Sequence, residues 1–159
     1  MKTRSMLAAV ACAVLVTATL VAGDIDLKKV KCAINPKAGA KIDKFASYKD
    51  AKVFFCCGNC LKKFSGSPKK FATSANQQLV ATKQFEQKKC PLTGGKLNLS
   101  TAIKVGTVEV AFCCNNCKGK TEKAKDGASD LVFNDKAFDK GFAKVKAAKK
   151  TTAKKADTE

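Results

Sequence analysis

The chain has 159 residues, with 31 basic against 13 acidic side chains, a net charge of +18 and no histidine. That length suits one modest domain or two very small ones. Scattered carboxylates with no histidine give hydrolytic chemistry no support, and a basic set that is lysine apart from Arg4 argues against sequence-specific nucleic-acid reading, which favours the planar arginine fork.

Residues 1–23 read as a signal peptide. Lys2 and Arg4 form a positive start, Met6–Ala22 is an apolar run of 17 residues, and small residues precede a cut after Gly23. The run is at the short limit for a retained membrane-spanning anchor, and cleavage is the favoured reading. Cys12 goes with the leader, and the expected location is periplasmic or secreted. The remaining chain keeps 29 lysines against 13 acids, a net +16. Such a surface is solvated and weakly attracts anionic envelope polymers or a membrane surface. Eight cysteines also remain, an even count that in an exported chain is the usual mark of a disulfide framework.

The rest of the chain reads as an internal duplication, with a first unit over 24–80 and a second over 81–145. Lys31-Cys32 corresponds to Lys89-Cys90, 58 residues on, and Phe55-Cys56-Cys57 with Cys60 corresponds to Phe112-Cys113-Cys114 with Cys117, 57 on. Each unit is too small to bury a core that holds it alone, so a metal or cross-link is expected. After Cys32, the segment 45–55 alternates around Lys49-Asp50 and predicts a β-hairpin with Tyr48, Val53 and Phe55 in strands. "GNCLKKF" predicts a helix with Cys60, Leu61 and Phe64 near one face. Ser67 and Pro68 predict a cap and first position for a second helix. After Cys90, the segment 102–112 predicts a hairpin turning near Gly106-Thr107, with Val108, Val110 and Phe112 on one strand face. A polar helix follows Asn115. Further helix lies within 127–145, capped by Asp130 or Asn134, with Phe133, Phe138 and Phe142 on its apolar faces. The segment 146–159 is rich in Lys, Ala and Thr, lacks apolar periodicity, and reads as a disordered basic tail. The fold class is therefore α+β: two small units, each a hairpin plus helices, sharing a core built on Phe54, Phe55, Phe64, Phe71, Phe112 and Phe133.

Each cysteine set places one thiol before a hairpin and three where a strand gives way to a helix. Thiolates are soft ligands that suit zinc or copper(I) and reject calcium and magnesium. The candidate metal ligands are Cys32, Cys56, Cys57 and Cys60 in the first unit and Cys90, Cys113, Cys114 and Cys117 in the second. Adjacent residues on a strand point to opposite faces, so both members of the Cys56-Cys57 pair reach one ion only if the chain bends there. The three-thiolate alternative uses Cys32, Cys56 and Cys60 and leaves Cys57 packed inward or reactive. Two other readings compete: a set of disulfides stapling a surface-interaction protein, and a thiol–disulfide oxidoreductase using Cys57 with Cys60 or Cys114 with Cys117.

"YKDAKVFFCCGNCLKKFSGSPKKF" and "CPLTGGKLNLSTAIKVGTVEVAFCCNNC" resemble the YHS/TRASH family of small metal-binding treble clefs. The shared features are a Cys-Pro-x-x-Gly start, a hairpin, a C-x3-C step and a following Phe with Pro-x-Lys-Phe. The first unit has lost the Pro and Gly-Gly of the start. The second has Thr121 where the phenylalanine should be and lacks the proline motif. The resemblance covers roughly 31–72 and 89–118. It implies a treble-clef layout and heavy-metal sensing, trafficking or resistance, without implying a reaction. It carries over to Cys32, Cys56 and Cys60, and to Cys90, Cys113 and Cys117; Cys57 and Cys114 are additions to its pattern.

Overall fold

The computed structural model describes residues 25–145. The expected leader over 1–23 and the basic tail over 146–159 lie outside the described residues.

The molecule mixes helix and strand, with small two-stranded hairpin sheets and short helices, as the alternation and capping signals predict. β1 (Lys41–Tyr48) pairs antiparallel with β2 (Ala51–Phe55), and α1 (Gly58–Gly66) follows directly. The second half repeats this order: β4 (Asn98–Val105) pairs with β5 (Val108–Phe112) and leads into α3 (Asn115–Lys123). Both first strands carry a register irregularity at matching places, between Lys41 and Phe45 and between Asn98 and Ile103. In β4, Thr101 fills the irregularity: its Oγ1 accepts the Phe112 amide at 2.8 Å and lies 2.6 Å from the Asn98 carbonyl. The buried inner strands carry the apolar alternation that made both hairpins legible, with Val53, Phe55, Val110 and Phe112 fully enclosed.

The two hairpin turns differ in kind. Lys49 (φ 49°) and Asp50 (φ 56°) are both left-handed, as a type I′ turn demands, although neither is glycine. The second hairpin puts Gly106 (φ 60°) first, as type II′ prefers. Lys49 is held from outside: it pairs with Asp135 at 3.3 Å and with Asp139, and lies over the Phe138 ring. Beside it, the Tyr48 hydroxyl donates to Asp135 Oδ1 at 2.8 Å, and Asn76 Nδ2 donates to the same oxygen at 3.0 Å. These bonds tie the tip of the first hairpin to the second half.

The proline segment departs from expectation. Pro68–Phe71 forms a 3-10 turn, without a side-chain cap from Ser67, before α2 (Ala72–Ala81) begins. Phe71 is half-buried at the turn, not enclosed in the core as expected. α2 then packs against β2 and β5 and against α4 (Ala128–Phe133) and α5 (Asp135–Gly141), so it lies between the two hairpins. Asn134 caps α5 by accepting the Ala137 amide at 3.0 Å, while Asp130 sits inside α4. Two three-residue strands, β3 (Phe85–Gln87) and β6 (Phe142–Lys144), pair with each other. One apolar cluster runs through both halves, from Phe55 and Phe64 through Leu79 and Phe85 to Phe112, Phe133 and Phe138. Each enclosed phenylalanine contributes roughly 1.5–3 kcal/mol over leaving it exposed.

The contrast between the turns is testable by thermal or urea unfolding. Gly106→Ala forces a Cβ onto a left-handed residue and into the Gln77 amide, which donates to the Val105 carbonyl at 3.2 Å. It should lower stability by about 2 kcal/mol. Asp50→Gly removes a left-handed side chain and should leave stability equal or raise it by up to about 1 kcal/mol.

Candidate metal centres

The structure brings three sulfurs together in each half. Those of Cys32, Cys56 and Cys60 lie within 4.8 Å of one another, as do those of Cys90, Cys113 and Cys117. The Cys56–Cys60 and Cys113–Cys117 sulfur separations are both 3.7 Å. Tetrahedral zinc with sulfur bonds near 2.3 Å requires sulfurs about 3.8 Å apart, and a trigonal soft cation requires only slightly more. A disulfide bond is about 2.05 Å long. All eight cysteines among the described residues are free, and 3.7 Å is the spacing of two ligands on one ion. Two cysteine groups are thus positioned to bind metal, in a layout compatible with a treble-clef-like unit.

Three local devices position each set. The first is a tight loop carrying the remote cysteine. The Cys32 amide donates to the Ala38 carbonyl at 3.0 Å, and the Cys90 amide donates to the Gly95 carbonyl at 2.9 Å. The first loop is one residue longer, and beyond it both halves run 18 residues to Cys56 and Cys113, so this loop accounts for the 58-versus-57 offset. At the second loop the end of α5 comes close: Lys88 and Lys89 donate to the Gly141 carbonyl at 2.8 and 3.0 Å. A Cβ on Gly141 would stand 2.8 Å from the Pro91 backbone, so only glycine fits.

The second device is the hairpin's exit. Cys57 and Cys114 are the N-caps of α1 and α3 with extended backbones, which puts Cys60 and Cys117 in the first turn of each helix, facing back toward the strand end. The expected bend at the doubled cysteine therefore falls at the cap. Cys57 and Cys114 stand outside the triads and are exposed. Their sulfurs lie 3.8 Å from that of Cys56 and 3.7 Å from that of Cys113.

The third device is a pair of glutamines that sequence reasoning missed. Gln78 Nε2, reaching from α2, donates to the Lys31 carbonyl at 2.7 Å and the Phe54 carbonyl at 2.9 Å, while its Oε1 accepts the Phe54 amide at 2.6 Å. Gln87, on β3, does the same in the second half. It donates to Lys89 at 3.2 Å and Ala111 at 2.7 Å, and accepts the Ala111 amide at 2.9 Å. Each amide therefore joins the residue before the remote cysteine to the strand residue two before the cysteine pair. Lys31 and Lys89 correspond in the two halves, as do Phe54 and Ala111, but the glutamines do not occupy matching positions. No sequence signal distinguished them from other polar helix or strand residues.

The electrostatics grade the thiols. Burial pushes the Cys32 thiol up, but the surrounding amides, led by that of Asn35 (N–H to sulfur 3.4 Å), outweigh it and hold the thiol below its ordinary value. At Cys90 burial is likewise outweighed, by the Thr93 hydroxyl and the amides of Cys113, Thr93 and Leu92, which bring it to about 7. Burial first, then the neighbouring sulfurs, push Cys60 and Cys117 up to about 12, and burial also raises Cys56. Cys57 and Cys114 are lowered, chiefly by the Cys60 and Cys117 amides in the first turns of α1 and α3, at a range short of a closed capping bond. The anionic form is thus favoured at the buried remote cysteine and at the exposed cap, and protons are retained at Cys60 and Cys117.

Two outcomes follow for metal binding. A cation must displace the protons held at Cys60 and Cys117, so affinity should rise with pH. Between pH 8 and 6, zinc affinity measured by chelator competition should fall at least about tenfold per unit. Gln78→Met keeps the volume but deletes the amide bonds. It should weaken the first site by about tenfold with the second unchanged, read from two-step metal titrations of the variant and its parent.

No protein-family model, curated protein or solved structure matches this chain, so its reading rests on its own sulfurs and the elements that hold them.

Proposed function

We propose that this is an exported metal-binding protein whose two thiolate sites hold zinc or copper in heavy-metal handling. The observation that carries the reading is the convergence of three sulfurs within 4.8 Å of one another in each half. A disulfide satisfies two sulfurs, whereas here a third approaches the same point from a separate loop. Three cysteines of each half form the ion's site, and Cys57 or Cys114 stands exposed at its rim, 3.8 or 3.7 Å from the nearest triad sulfur. The leader pattern over 1–23 supports export to a periplasmic or extracellular location. The likeness of both cysteine segments to YHS/TRASH units supports a role in metal trafficking or resistance. The lysine-rich surface adds weak attraction to anionic envelope polymers or lipid.

The test is elemental mass spectrometry on protein exported and purified without chelator, paired with a thiol count under denaturing conditions. We expect about two metal equivalents and eight thiols counted once chelator has stripped the metal. Protein carrying no metal and no free thiols would overturn the reading and establish a disulfide framework.

A further inference from the structure

We infer that each site takes up and gives up its cation in two stages, across an exposed outer thiol pair that shares one sulfur with the inner triad. The inference rests on the metal reading above and names its transfer partner: a soft monovalent cation carried on a thiol.

The geometry is graded from outside to inside. Cys57 and Cys114 are exposed, Cys56, Cys60 and Cys113 are half-buried, and Cys32 and Cys90 are enclosed at 3% and 0% exposure. Cys56 is the shared member. Its sulfur lies 3.8 Å from Cys57 on the outer side and 3.7 Å from Cys60 on the inner side. Cys113 has the same role, 3.7 Å from both Cys114 and Cys117. A cation held by the outer pair can therefore move inward without ever losing its bond to Cys56 or Cys113. Both halves keep this arrangement although their first loops and helix faces differ in sequence. A fourth ligand required only to complete a closed structural site would be expected inside the triad, where water is excluded; here it stands at the solvent edge.

The exchange conserves charge and electrons. The carrier presents the cation on its sulfur. A bond forms from Cys57 to the cation while the carrier's bond breaks, and the departing thiolate takes the proton that Cys57 gives up. Cys56 then binds, followed by Cys60 and Cys32, each releasing to solvent any proton it holds, and the bond to Cys57 breaks as that sulfur takes up a proton from solvent. The cation stays monovalent throughout, and delivery runs the same steps in reverse. Copper(I) fits this sequence because it is a soft monovalent cation that thiolate ligands select.

The test uses the full chain loaded anaerobically with copper(I), with glutathione as thiol carrier and bicinchoninate to report the released ion. In Cys57→Ser/Cys114→Ser, serine is a favoured N-cap, so the helices should form as before; circular dichroism checks this. We expect glutathione-dependent release to slow roughly tenfold while the copper held at saturation stays near that of the parent. Cys32→Ser/Cys90→Ser should instead lose bound copper. Unchanged or faster release from the rim variant would overturn the inference, as would loss of its copper at saturation, which would make the rim thiols obligate ligands. A parent protein that takes up no copper(I) would overturn the inference but leave zinc binding to be decided by the elemental measurement, so the two failures are distinguishable.

Discussion

A side-chain amide bridges the two chain segments that supply each sulfur triad. Three ligands come from two chain segments more than twenty residues apart, a loop before the hairpin and the strand–helix junction after it. The Ala33 amide of the first half also donates directly to the Phe54 carbonyl at 3.5 Å. In the first half Gln78, buried in the core, bonds both segments at once, and in the second Gln87 does so. Because Gln78 belongs to α2, the first site is also coupled to the helix that packs on both hairpins. The amides serve a second purpose. β2 is the inner strand of a two-stranded sheet, and its outer edge at Lys52 and Phe54 would otherwise need another strand. Gln84 pairs with the Lys52 backbone at 2.8 and 2.7 Å, and Gln78 pairs with that of Phe54. The edge is closed by side chains instead.

The local parts of this fold were legible because each has a short-range cause. Alternation gave both hairpins, Gly106 gave one turn, and the cysteine spacing gave the strand–helix junctions. The triads themselves were one of the alternatives the spacing left open. The missed features are those whose causes are distant in the chain. β3 and β6 are three residues each, too short for alternation to register, and they form only because Phe85 and Phe142 are drawn into the same apolar cluster. Gln78 and Gln87 look in sequence like any polar residue on a surface. The separation of Cys57 and Cys114 from the triads follows from helix capping, which fixes the extended backbone at the junction but is hidden in a run of identical residues.

The graded thiols turn one architecture into two environments. The enclosed remote cysteine is surrounded by amides and, in the second half, by the Thr93 hydroxyl, all of which favour its anion. The cap cysteine has its anion favoured by the opening turn of a helix, in contact with water. Between them lie thiols that keep their protons until a cation replaces them. Charge is thus drawn to both ends of each cluster, and a cation bound there would replace the protons in the middle, tying occupancy to pH without any histidine.

Sequence length alone suggested that each half would need a metal or cross-link to hold it. The packing changes that argument, because the halves do not bury separate cores. Phe64 of the first and Phe112, Phe133 and Phe138 of the second belong to one cluster, with Leu79 of α2 and Phe85 of β3 between them. The Tyr48, Asn76 and Asp135 bonds and the Lys49 ion pairs fasten the same seam. A single body of about 120 residues has the surface-to-volume ratio of an ordinary small domain, which hydrophobic burial can stabilise without a structural ion. Binding energy at the sulfurs is then not committed to holding the chain together. A site freed from that task can be tuned for exchange, and that is the use an exposed rim thiol suits.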